Sequence, residues 1–97
     1  MKDFTDKTAV ITGGASGIGF ALAEQCSRRT MNIVLGDIEE QALASAVKHF
    51  EDRQVNVVAV RTDVSSKTSV ENLFDQARAR FGKIHLLFNN AGVVNGG

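Results

Sequence analysis

A glycine-rich segment between an apolar run and a helical pattern constrains this chain more than any other feature. Residues 12–19 are Thr-Gly-Gly-Ala-Ser-Gly-Ile-Gly and directly follow the apolar run of residues 9–11. In this context the segment indicates a dinucleotide-binding turn that holds a pyrophosphate. Taken alone it is weak evidence, because many loops between a strand and a helix need glycine for steric reasons.

Apolar runs alternate with helical patterns along the whole chain. Short runs without alternation are typical of strands buried on both faces of a parallel sheet, and they predict strands over Thr8 to Thr12, Asn32 to Gly36, Val55 to Arg61 and Ile84 to Phe88. Helices are predicted over Gly17 to about Arg29, over Glu39 to about Asp52, and from a cap among Ser65, Ser66 and Thr68 to Gly82.

This alternation predicts an α/β fold with a Rossmann-type parallel sheet. We expect four strands in the order 3-2-1-4 with three helices, which is an incomplete doubly wound domain over residues 1–97. The order places the first strand in the centre and the glycine turn where the winding reverses.

Composition and charge exclude several classes of function. Eleven Lys and Arg residues balance eleven Asp and Glu residues, without a block that would bind nucleic acid or an anionic membrane. No apolar run approaches the roughly 20 residues of a membrane helix, and the first residues resemble neither a signal nor a transit peptide. We therefore expect a cytoplasmic protein. Cys26, the only cysteine, is expected to be a buried thiol on a helical stripe with Ile18 and Leu22.

The glycines of the turn have separate predicted roles. Gly13 permits the tight turn, Gly17 lets the backbone approach the pyrophosphate, and Gly19 allows close packing of the helix on the sheet. Free N–H groups at the start of the first helix would face the phosphates, with roughly 0.3 to 1 kcal/mol of attraction from the helix dipole.

Asp37, at the end of the second strand, supports the same interpretation. It follows Gly19 by 18 positions, close to the spacing at which a carboxylate meets the adenosine ribose. Like charge on a 2′-phosphate would cost roughly 4 kcal/mol per unit at about 4 Å, so NAD is favoured over NADP. No basic residue is expected to offset it, since Ser16 and Ile38 occupy the neighbouring positions. The alternative role for Asp37 is a helix cap paired with Glu40, and it is compatible with ribose binding.

The chain resembles the N-terminal part of the short-chain dehydrogenase/reductase family over nearly all of its 97 residues. The resemblance rests on residues 12–19, Asp37, Asp63-Val64 and Asn89-Asn90-Ala91-Gly92, in the family's order and at about its spacing. It implies hydride transfer between nicotinamide and a small alcohol or carbonyl substrate. It also implies cofactor binding by Gly13, Ala15, Ser16, Gly17, Ile18, Gly19, Asp37, Ile38, Asp63, Val64, Asn90, Ala91 and Gly92.

In detail, the resemblance implies that Asp63 bonds the adenine amino group and that Val64 lies against the ring. Residues 90–92 would line the adenosine ribose and the path to nicotinamide. Without the family, Asp63 is a turn residue and residues 89–92 form a loop whose amides bond backbone groups. His85, where the family often has aspartate, and His49 are both expected at the surface.

The catalytic residues of the family have no counterpart here. The family uses a serine and a Tyr-x-x-x-Lys pair, whereas this chain contains no tyrosine. We expect no catalytic residue, no metal site and no activity from the chain alone, and we expect homo-oligomers only with a missing C-terminal part. The alternatives are a non-catalytic nucleotide-binding module and an inactive remnant.

Overall fold

The computed structural model describes residues 3–90, and within them strands and helices alternate as predicted. The elements are β1 (Thr8–Thr12), α1 (Gly17–Arg28), β2 (Asn32–Asp37), α2 (Glu40–Glu51), β3 (Val57–Arg61), α3 (Lys67–Phe81) and β4 (Leu86–Asn89). The largest differences from the prediction are the later starts of β3 and β4. Of the predicted caps of α3, Ser66 is the one used, because its hydroxyl accepts a hydrogen bond from the Ser69 N–H.

The four strands form one parallel sheet in the order β3-β2-β1-β4, which confirms the predicted topology. Thr12 is paired with Gly36 on one side and with Asn89 on the other. Asp37 is paired with Arg61 at the end of the β2 and β3 ladder. The carboxyl ends of all four strands therefore lie along one edge, with β1 at the point where the winding reverses.

Helices cover both faces of the two central strands. Ile11, Ile33 and Leu35 belong to a cluster on the α1 and α2 face, whereas Val10 and Val34 pack with α3 on the other face. All of these side chains are fully buried. Strand β4, at the edge of the described sheet, is less covered, and Leu87 is 50% exposed.

Helix α1 buries a different stripe from the one the sequence predicts. Gly19, Ala23 and Cys26 are buried, whereas Ile18 is 72% exposed. The prediction for Ile18 is wrong because small residues, not the large ones, face the sheet where the helix starts. The predicted burial of Cys26 is confirmed, and this burial raises the pKa of its thiol.

Both histidines are partly buried, and they make contacts that a position at the surface alone does not imply. His49 Nε2 lies 2.9 Å from Glu24 Oε2, and its ring packs against the rings of Phe20 and Phe50. His85 Nδ1 accepts a hydrogen bond from the N–H of the fully buried Thr8 at 3.0 Å. Apart from the ring contact with the adjacent Phe50, these contacts join elements that are distant in sequence, and for that reason local patterns do not reveal them.

Every helix within residues 3–90 is too short or too polar to cross a lipid bilayer.

Candidate functional site

The carboxyl edge of the sheet gathers residues from four separate parts of the sequence. Gly13 directly follows β1, Asp37 ends β2, Asp63 follows β3 by two positions and Asn90 directly follows β4. In an open α/β sheet this edge, at the reversal of the winding, is where ligands bind. Two predicted site residues, Ala91 and Gly92, lie outside the described residues.

The turn after β1 is anchored on the neighbouring strand and open on its outer side. Gly13 and Gly17 have φ angles of 66° and 58°, in the left-handed region that favours glycine. The Gly13 N–H donates to the Gly36 carbonyl at 2.7 Å. A Cβ placed on Gly17 would meet no atom within 4 Å, so the space beside this backbone is accessible to a ligand.

Gly19 presses the start of α1 against the turn. A Cβ at this position would overlap the Gly13 carbonyl oxygen, and it would lie 3.0 Å from Asn90 Nδ2. The sequence predicts contact between helix and sheet here, whereas the tightest contact is with the turn that leaves the sheet. Glycine is therefore required for packing, whatever the edge binds.

The first turn of α1 presents free backbone donors. Ser16 is the N-cap in an extended conformation without a side-chain cap hydrogen bond, and the first turn carries no acidic residue. Ser16, Gly17 and Ile18 are exposed. The first N–H groups of a helix have no partner within the helix and carry its positive dipole end. This arrangement suits an anion such as a phosphate.

Asp37 connects the glycine turn with the approach to α2. Its Oδ2 accepts from the Ala15 N–H and its Oδ1 accepts from the Glu39 N–H, each at 3.1 Å. The predicted capping of α2 by Asp37 with Glu40 is wrong. Glu39 is the N-cap and has no side-chain cap bond, and the Asp37 carboxylate instead accepts from the Glu39 N–H in a turn before the helix. The two oxygens of a carboxylate offer about four lone-pair sites, so Asp37 retains acceptor capacity for hydroxyl groups.

A cation that the sequence did not reveal lies beside Asp37. Arg61 is its partner in the β2 and β3 ladder, and its Nε lies 3.5 Å from Glu40 Oε2. Both of these side chains are more than half exposed. Neither the turn nor the sequence neighbours of Asp37 contain this cation; it is brought there by the register of β3 on β2, and the predicted strand order, which places the two strands side by side, is the only sequence signal for it.

Asp63 lies in the turn that the sequence predicts. Its carbonyl accepts from the Ser66 N–H at 2.9 Å, and its own N–H donates to Ser69 Oγ at 2.8 Å. Oδ1 accepts from the Ser65 hydroxyl at 2.6 Å and from the Ser65 N–H at 2.9 Å, and these bonds lower the pKa of the Asp63 carboxyl. Oδ2 has no hydrogen bond to any residue between 3 and 90, so an acceptor remains available.

The amides of Asn89, the last residue of β4, and of Asn90 hold that strand to the glycine turn. Thr12 Oγ1 donates to Asn89 Oδ1 at 2.8 Å, and Asn90 Nδ2 donates to the Gly13 carbonyl at 3.4 Å. The predicted bonding of amides to backbone is thus confirmed for Asn90, whereas Asn89 bonds a hydroxyl. The described part of the chain contains no group of three His, Cys, Asp or Glu side chains that could hold a metal ion.

Comparisons with known proteins agree with this geometry. The family model described as short chain dehydrogenase matches residues 7–97. A CLA biosynthesis dehydrogenase/reductase of Lactiplantibacillus plantarum is 43% identical over 94 residues, which are 97% of this chain and 33% of that protein. A diacetyl reductase ((S)-acetoin forming) of Staphylococcus epidermidis is 42% identical over 87 residues, 90% of this chain and 34% of that protein.

Solved structures show the same similarity. A short chain dehydrogenase/reductase from Burkholderia phymatum in complex with NAD has a TM-score of 0.92 and 49% identity, over 96% of this chain and 33% of that one. L-Sorbose reductase from Gluconobacter frateurii, complexed with NADPH and L-sorbose, has a TM-score of 0.88 and 34% identity. The match covers 96% of this chain and 36% of that one. The chain spans about a third of the length of the proteins it matches.

Proposed function

The chain belongs to the short-chain dehydrogenase family, and from this premise we propose that it is the NAD-binding part of an oxidoreductase. The observation that carries the choice of NAD is the Asp37 carboxylate, which the Ala15 N–H holds beside the glycine turn. Ribose hydroxyls can donate to this carboxylate, whereas a 2′-phosphate is repelled by it. The similar structures include one with NAD and one with NADPH, so the choice depends on this chain's own residues.

We assign the pyrophosphate to the glycine turn and the first turn of α1. Ser16, Gly17 and Ile18 are exposed there, and the open space beside Gly17 allows a phosphate to approach the backbone. Gly13, Ala15 and Gly19 hold the turn in place through the contacts described above. Backbone N–H groups would supply the hydrogen bonds, and the helix dipole favours the negative charge.

The adenosine is assigned to the ends of β2 and β3. Asp37 would accept from the ribose hydroxyls, and the available Oδ2 of Asp63 would accept from the adenine amino group. Ile38 is 47% exposed and Val64 is partly buried. These two side chains follow neighbouring strands and offer apolar contacts for the faces of the base.

The lining of the adenosine ribose and of the path to nicotinamide is assigned to Asn90, Ala91 and Gly92 after β4. When bound, the nicotinamide accepts or donates the hydride that is exchanged with an alcohol or carbonyl carbon. We further propose that the acid/base residues, the substrate pocket and the surfaces for homo-oligomers belong to a longer protein, since the chain spans about a third of its relatives. A cytoplasmic location is part of the proposal and fits the single buried thiol.

Calorimetric titration of the protein with NAD and NADP tests the choice of cofactor. We expect NAD to bind more tightly than NADP. Asp37→Ala should weaken NAD binding about tenfold, which corresponds to roughly 1.4 kcal/mol, because hydrogen bonds to a charged group are lost. NADP should lose less or gain, since the repulsion is also removed. Asp75→Ala, an exposed position on α3, is the matched control. Tighter binding of NADP by the unaltered protein would contradict the role of Asp37.

A further inference from the structure

Arg61 and Asp37 lie on the same face of the sheet. Paired residues on neighbouring strands point to the same side, and adjacent strands are about 4.8 Å apart. The preceding pairs confirm the side, because Ile33 with Val57 and Leu35 with Ala59 all belong to the cluster under α1 and α2. Arg61 therefore follows these residues on the α2 side, next to the carboxylate assigned to the ribose.

Three acidic residues lie near Arg61, and one of them contacts its guanidinium. Glu40, in the first turn of α2, forms the ion pair at 3.5 Å. The positive charge of Arg61 also contributes to lowering the pKa of the Asp63 carboxyl, after the two Ser65 hydrogen bonds. With Asp37 as its ladder partner, Arg61 has three acidic residues near it, and these four residues together carry a net negative charge.

The Glu40 ion pair uses only a small part of the donor capacity of Arg61. A guanidinium has five N–H donors in a fork that matches phosphate geometry, and the structure gives Arg61 one ion pair, through Nε, among the described residues. The side chains of Arg61 and Glu40 are 55% and 73% exposed. Exposed pairs of this kind are weak, so a phosphate can compete with Glu40 for the guanidinium.

From this arrangement we propose that Arg61 is the receptor for a 2′-phosphate and that Glu40, by holding the guanidinium, limits NADP binding. The proposal rests on the proposed dinucleotide binding and adds a second determinant of cofactor choice besides Asp37. Asp37 repels the phosphate directly. Glu40 acts indirectly, because it neutralises the cation that would attract the phosphate.

The test is calorimetric titration of the full chain with NAD and NADP, using Glu40→Gln, Arg61→Gln and the double variant. Glu40→Gln should tighten NADP binding about 2- to 5-fold, in the range expected when an exposed ion pair is released, and should change NAD binding less than about twofold. In the double variant the gain should disappear. Glu51→Gln, with the same charge change at the other end of α2, should leave both affinities unchanged.

Two results would overturn the inference while the proposed function stands. In one, NAD binds but Glu40→Gln leaves NADP affinity unchanged. In the other, the gain persists in the double variant, which would indicate a general effect of charge that does not involve Arg61. Failure of NAD to bind the unaltered protein would overturn the proposed function and this inference together.

Discussion

The two edges of the sheet differ in how their polar groups are used. At the amino edge, the Asn32 amide donates to the Asp6 carbonyl at 3.2 Å and accepts from the Asn56 amide at 3.2 Å. The Thr8 N–H is bound by His85. At the carboxyl edge, the start of α1 lacks a side-chain cap, and Oδ2 of Asp63 lacks a protein partner among residues 3–90.

At the amino edge of the sheet these polar groups are therefore hydrogen-bonded to one another, whereas at the carboxyl edge some polar groups lack a protein partner among the described residues. Thr8 and Asn32 are buried, whereas Ser16 and Gly17 are exposed. A polar group that is already satisfied by the protein gains little from a ligand, while a free donor at a helix start gains a partner. The amino edge contributes stability, and the carboxyl edge is where we place the cofactor.

The variant with the largest expected effect is Gly19→Ala, which should change both the stability of the protein and the binding of NAD at the carboxyl edge. The new Cβ would overlap the Gly13 carbonyl oxygen, so the turn or the helix must move. We expect the free energy of unfolding in urea to fall by about 2 to 3 kcal/mol, as for overpacked cores, with loss of NAD binding. Unchanged unfolding and unchanged binding would show that the contact with Gly13 is not restrictive.

The next variant, His85→Ala, should affect the amino edge alone. It leaves the N–H of the buried Thr8 without its acceptor, which costs about 1 to 3 kcal/mol in the free energy of unfolding. NAD affinity, measured by titration of the folded protein, should stay the same because the cofactor edge is at the other end of the strands. His85→Asp retains an acceptor and should lose less stability than His85→Ala. A drop in NAD affinity would contradict the view that the amino edge contributes to stability but not to cofactor binding.

Gly17→Ala should separate binding from stability within the glycine turn. Its Cβ meets no protein atom, but the φ angle of 58° disfavours a side chain, so the free energy of unfolding should fall by about 1 kcal/mol. NAD affinity should fall at least tenfold, more than 1.4 kcal/mol, because the Cβ occupies space assigned to the pyrophosphate. Circular dichroism of the folded state should be unchanged. Equal NAD affinity in the variant and the unaltered protein would sink that assignment.

The smallest effect is expected from Ser65→Ala, which tests how the Ser65 hydrogen bonds set the pKa of Asp63 at the carboxyl edge. The Ser65 hydroxyl and N–H bonds hold the pKa of Asp63 below 3.8, its ordinary value. Because the folded pKa is depressed, the ionised carboxylate stabilises the fold above the ordinary pKa, and this contribution is lost as the pH falls through the folded pKa. Ser65→Ala should raise the Asp63 pKa in an NMR titration, and the exposed control Ser45→Ala should leave it unchanged.

The sequence predicts most of the fold because each strand and helix has a local signal. The apolar runs of β1 and β2 have no alternation, and they are the strands that helices cover on both faces. The positions of Gly13 and Asp37 follow from where those runs end, and the position of Asp63 follows from the end of the run that forms β3. The phase of α1 was predicted from Ile18 and Leu22, whereas small residues face the sheet there.

What the sequence did not predict depends on contacts between distant segments. His85 meets Thr8 across 77 positions, and His49 meets Glu24 across 25. Arg61 reaches its place beside Asp37 only through the pairing of β3 with β2. Such partners are set by register and by helix packing, which motif spacing does not contain.

The close contact between Gly13 and Gly19 has a consequence for the length of the turn. An α-helix advances by about 100° per residue, so one inserted residue between these glycines would either lift the start of α1 from the turn or rotate the helix. Rotation would carry Ala23 and Cys26 away from the sheet, although both are buried there. A protein with this packing therefore keeps a fixed residue count before α1, whichever dinucleotide it binds.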